Sequence, residues 1–321
     1  MRHAARRLPL LAVALAAISA PTRANDLVSQ GSETPSNPGL ATGATTASGA
    51  AAPAGAQWSE MPSDIGGNAA ALAGVAAHPE APFASFRVAD TLIVPPGSRW
   101  TVSTISFYAY QPGAGAAPPF ASGTISVWRG RPGAANSTVV FGDTTTNRLA
   151  SPTRMNLYRI FNTSGLPPGA GADLSRSLWR VDFSLPSVAL GPGVYWLDVG
   201  LSPAQAGGQA FLATVKPARV KSANESAVQL RPAPGGSAWA TLGESHIFPF
   251  SPPNPVGVAY IVRGTAAPSC VNFIDLNVLL AAIPSTPNSA NWDPLYDLNG
   301  DGEINTEDLI ALLSMYGSGC S

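Results

Sequence analysis

From about Ala81 to Gly264 the chain alternates apolar and polar residues in short runs separated by Pro/Gly turns. Alternation with a period of two puts successive side chains on opposite faces of a strand. It predicts strands over residues 88–94, 100–110, 124–129, 139–141, 157–161, 178–185, 194–199, 210–215, 227–230 and 258–262. No long helical period interrupts them. The pattern therefore predicts a mainly β protein with an antiparallel β-sandwich over 58–264, jelly-roll-like first and immunoglobulin-like second. The period changes near the carboxyl end. Leu309, Leu312, Leu313 and Tyr316 recur at helical spacing, after Asn305 as N-cap with Asp308 three residues on, and before Gly317 as a stop. A second copy precedes it. Residues 271–276 (Val-Asn-Phe-Ile-Asp-Leu) align with 304–309 (Ile-Asn-Thr-Glu-Asp-Leu), Leu279, Leu280 and Ile283 take the later apolar places, and Pro284 ends the run. Residues 265–321 thus predict a small α-helical module.

Composition adds boundaries. Charged residues are 12% of the chain and the formal net charge is −1, without the basic footprint nucleic acid requires. Residues 1–24 read as a signal peptide, with Arg2, Arg6 and Arg7 ahead of an apolar core too short to span a bilayer. Residues 25–57 are rich in Ala, Gly, Ser, Thr and Pro and poor in large apolar side chains, which predicts a disordered linker. Residues 58–80 carry no clear pattern. No second long apolar run follows, so the expected location is secreted or cell-surface. The two cysteines, Cys270 and Cys320, bracket the terminal module. An even count in an exported chain predicts a disulfide, with two free thiols as the alternative.

The densest chemistry lies at residues 297–308, Asp-Leu-Asn-Gly-Asp-Gly-Glu-Ile-Asn-Thr-Glu-Asp. Asp297, Asn299 and Asp301 stand at positions 1, 3 and 5 of a calcium loop, Gly302 at the sharp turn and Glu303 where a backbone carbonyl coordinates. Asn305 takes position 9 and Asp308 position 12, where an EF-hand usually has Glu. Ca2+ is a hard cation that takes six to eight oxygens, and this spacing supplies them from one segment. Pro294 disfavours a helix entering the loop. The first copy lacks the acidic front half, so one calcium site is expected.

A calcium loop followed, but not preceded, by a helix, with a second copy of the unit that keeps the helix but not the acidic half of the loop, resembles the dockerin family. The ending Gly319-Cys320 is similar to the dockerin variant found on secreted bacterial proteins. The resemblance covers about the last 50 residues. It implies a paired-helix module that docks onto a cohesin partner, often in systems handling polysaccharide. The docking positions it implies are Thr306 and Glu307, with Phe273 and Ile274 in the first copy.

The sandwich offers less. His78 and His246 read as surface-loop residues, and no nucleophile elbow, phosphate loop or zinc motif is present. Asp182 and Asp198 are the carboxylates to weigh for glycoside hydrolysis, but each reads as solvated or paired. Trp128 and Trp196 have polar neighbours on their own strand faces. Exposed, they would stack on a sugar ring; the alternative is that loops cover both indoles. The reading is a secreted, non-catalytic modular protein whose sandwich binds a ligand such as carbohydrate and whose tail binds one Ca2+ and docks. The alternatives are a polysaccharide-degrading glycoside hydrolase carried by a dockerin, and a structural cell-surface protein with a calcium-stabilised tail.

Overall fold

The computed structural model describes residues 25–31, 40–61, 73–78, 86–215, 225–234, 236–242 and 255–320. The signal-peptide reading of 1–24 and the reading of His246 lie outside these residues. Strands are numbered in chain order. One sheet runs β1 (Asn25–Gln30), β15 (Tyr260–Pro268), β5 (Ser98–Tyr110), β9 (Ser177–Leu190), β8 (Thr153–Ile160), β2 (Gln57–Glu60). From it β11 (Phe211–Val215) branches to pair with β14 (Gly257–Val258), β3 (Gly74–Ala76) and β5. The other sheet runs β13 (Gly236–Thr241), β12 (Val228–Ala233), β4 (Arg87–Val94), β10 (Gly193–Pro203), β6 (Phe120–Arg129), β7 (Thr138–Gly142). The pairs are antiparallel except β2 with β8. Each run expected from the alternation overlaps a strand.

The two sheets share one apolar core. Val88, Leu92, Ile125, Val127, Leu197 and Val199 from the six-stranded sheet meet Ile105, Phe107, Val181, Phe183 and Val262 from the other. Burying each such side chain contributes about 1.5–3 kcal/mol before chain entropy is subtracted. Trp179 lies in this core, on the same face of β9 as Val181 and Phe183. Polar bridges cross it: Gln30 donates to Asp90 Oδ2 at 2.6 Å, the Val258 N–H donates to the same oxygen at 2.9 Å, and the Tyr260 hydroxyl donates to the Thr91 carbonyl at 2.8 Å.

β5 breaks its own alternation. Trp100 and Val102 face the core, and so do Ile105, Phe107 and Ala109. The parity flips at Ser103, where the register against both β15 and β9 shifts. An extra residue in one strand of a ladder produces this flip. Gly264 permits it: a Cβ there would lie 2.0 Å from the Thr101 carbonyl oxygen.

The linker expected over 25–57 is corrected where it is described. Asn25–Gln30 is a strand, antiparallel to β15, with Asp26 paired to Arg263 at 2.8 Å. Leu40 and Ala41 are fully buried against Tyr108, Leu157, Leu178 and Ile261 on the outer face of the larger sheet. Composition missed this because the segment needs few large side chains. Its small residues pass close over a face that is itself apolar, and backbone pairing supplies the rest. The 264/265 boundary also moves, since β15 stays paired to β5 as far as Pro268.

The terminal module packs α1 (Phe273–Ala282) against α2 (Thr306–Ser314) over Val271, Leu279, Tyr296, Ile304 and Leu312. Both helices open with the same reciprocal cap, Asn272 with Asp275 and Asn305 with Asp308. The repeat extends to the backbone. Ile304 exchanges hydrogen bonds with Ser285, just after α1, while Val271 bonds to Gly317 and Ser318, just after α2. Cys270 and Cys320 form a disulfide, S–S 2.05 Å, closing a separation of 50 residues. Among the described residues no helix is long and apolar enough to cross a membrane.

Candidate functional site

The loop at 297–308 is wound by its own side chains. Asp297 accepts from the N–H groups of Gly300 (2.9 Å) and Gly302 (3.2 Å). Asn299 Oδ1 accepts from Asp301 N at 3.1 Å, and Asp301 Oδ1 from Glu303 N at 2.8 Å. Gly300 and Gly302 take φ of 76° and 88°, the left-handed region that lets so short a loop turn. Asp308 is fully buried; it caps α2 through Asn305 N and also accepts from Leu298 N at 2.8 Å, tying loop to helix. No helix enters the loop, as Pro294 predicts.

The donor chemistry fits Ca2+. Carboxylates at 297, 301 and 308, the Asn299 amide oxygen and the Glu303 carbonyl are all hard oxygens drawn from one turn of chain. Each carboxylate is at present held by N–H groups, and among the described residues no three His, Cys, Asp or Glu side chains form a metal-type group. An ion would therefore draw these oxygens together from a loop already closed around the same residues. Tyr296, buried beside the loop, has its phenol pushed up to about 12 by burial, then by Asp275 and Asp293.

The docking positions implied by the resemblance lie in the first turns of the two helices, and all four are exposed: Phe273 (63%), Ile274 (71%), Thr306 and Glu307. Sequence spacing missed the extent of this surface. Ile310 is 67% exposed, and Leu313 and Tyr316, read as core-facing, are each about half exposed. Only Leu312, with Leu309 partly, carries the inner face of α2.

The sandwich candidates separate. Asp182 lies on the outer face of β9, held by Arg180 Nε and Ser106 Oγ; Asp198 lies on the outer face of β10 in the other sheet. The shared core stands between them, so they cannot flank one glycosidic bond at the roughly 5–9.5 Å that chemistry needs. Trp196 is a correction: it is buried, 3% exposed, beside Ala89 and Val228, with Trp128 and Trp239 packed against it. Trp128 is half-buried and donates to Asp198 Oδ2 at 3.2 Å. The covering is topological. The smaller sheet curls until its β6–β7 turn meets the edge strand β13, Arg131 donating to Thr241 at 2.6 Å, with Gly133 against Trp239. Under this lid Arg87 Nε donates to Asp198 Oδ1 at 2.8 Å, both side chains almost wholly buried. Burial pushes the Asp198 carboxyl up, and Arg87 and Trp128 offset part of that shift. His78 is also a correction: it is buried between Phe86 and Phe211, with Nδ1 at Ala210.

No family model, no curated protein and no solved structure matches this chain.

Proposed function

We propose that this is a secreted modular protein whose carboxyl-terminal module binds one Ca2+ at residues 297–308 and docks onto a protein partner of the cohesin kind. In this reading the β unit is the non-catalytic part that is displayed. One observation carries it. A self-closed loop with oxygen donors at the calcium positions leads directly into a capped helix, and the first turns of that helix and its repeat expose Phe273, Ile274, Thr306 and Glu307. Exposed apolar side chains gathered on a small module mark an interaction surface. The Cys270–Cys320 disulfide supports an oxidising location.

The test is binding of the full chain to a panel of purified cohesin modules, with Ca2+ and with chelator. The expected outcome is capture in Ca2+ only, weakened about 100-fold or more by Ile274→Asp together with Ile310→Asp, a loss typical of central apolar anchors. Capture by no cohesin, or capture indifferent to both chelator and substitutions, would overturn the docking reading.

A further inference from the structure

The terminal module does not hang from the β unit; it is seated on it, and the candidate calcium loop forms part of the seat. Three contacts make the joint. The Ser269 N–H donates to the Gly97 carbonyl at 2.9 Å, at the turn between β4 and β5. A Cβ on Gly97 would come within 3.0 Å of Val271 and 3.3 Å of Met315, so this turn rests directly on the module's core. On the other side Trp292 Nε1 donates to Glu225 Oε2 at 3.1 Å; Glu225 belongs to the β unit and is 6% exposed.

Between these contacts lies a cavity of about 330 Å3. Leu27 of β1, Ile93 of β4 and Trp100 of β5 wall one side; Leu295, Leu298 and Asn299 wall the other, together with Asp297. The loop's first residues therefore serve two purposes. Their oxygens are the calcium donors of the reading above, and their apolar neighbours face β1 and β4. An ion held by Asp297, Asn299 and Asp301 would fix the backbone of Leu298 and Gly300, which line that cavity.

We infer that Ca2+ in the loop closes the module onto the β unit, and that its removal loosens the seat and with it the amino-terminal strand β1. This rests on the calcium reading and adds its consequence for a segment some 270 positions earlier in the chain. β1 is the responsive element because it is an edge strand, paired on one side to β15 and bordered on the other by the cavity. Edge elements with few neighbours open at low cost.

Hydrogen exchange of the full chain, with Ca2+ and with chelator, tests this. Chelator is expected to speed exchange at residues 297–308 and, in step, at 27–30, each by about fivefold or more. Trp292→Phe keeps a ring in place but removes the N–H that reaches Glu225. In that variant Ca2+ should still protect 297–308, with at most about a threefold change in affinity, while its protection of 27–30 falls to less than half. Protection at the loop with no change at β1 would overturn this inference and leave the calcium reading standing. No protection at either place would overturn both.

Discussion

Asp198→Ala is expected to cost the β unit about 3–5 kcal/mol, the loss typical of removing one partner from a buried ion pair. The carboxylate accepts from Arg87 Nε at 2.8 Å and from Trp128 Nε1 at 3.2 Å, and almost none of it reaches solvent. Its removal leaves the buried Arg87 charge without a counter-ion and takes the acceptor from the Trp128 N–H. Arg87 keeps its bond to Thr124 Oγ1 at 2.7 Å, which does not neutralise its charge. For a domain of this size the loss should lower the melting temperature by roughly 10 °C. The double variant Arg87→Met, Asp198→Leu should lose much less than the sum of its single changes, because no charge is then stranded. Calorimetry of the parent, Asp198→Ala, the two single changes of the pair and the double variant, five proteins, checks both statements. Additive losses would mean that the two groups do not act as a pair.

Cys270→Ser with Cys320→Ser is expected to destabilise the terminal module by roughly 4 kcal/mol on the chain-entropy account. The bond closes a separation of 50 residues over a core whose buried members, among the described residues, are Val271, Leu279, Ala282, Tyr296, Ile304 and Leu312. A core so small needs a staple. The β unit has its own much larger core, so its transition should move little while the module melts separately and earlier. Proteolysis followed by mass spectrometry would place the new cleavages within 270–320. A variant that melts as a single transition with the parent would show that the caps and the seat on the β unit hold the module without the bond.

Much of this was legible in the sequence, for physical reasons that differ by region. The strands of the β unit announce themselves because one face of each meets the core, and alternation is that fact written in residues. The cap at Asn305 was legible because it is local: a side chain reaches an N–H two or three residues away, and Asn272, aligned with it, takes the same role. What sequence missed is long-range. β1 looks like linker because Asn25–Gln30 becomes a strand only when β15 is beside it. The indoles of Trp128 and Trp196 look available because nothing local predicts that β13 curls round to the β6–β7 turn. The flip at Ser103 depends on Gly264, 161 residues later, and no period in β5 reveals it. The glycine turn at 300–302 and the capped helix after it are local, and both lie where the spacing puts them. The module's contact with the β unit was not legible, since Glu225 and Trp292 share no motif.

Calorimetric titration of the full chain with Ca2+ tests the central claim most directly. The account predicts saturable binding of one ion per chain, abolished by Asp297→Ala with Asp301→Ala while the β unit melts as before. Absence of binding to the parent chain, or binding that survives both substitutions, would contradict it.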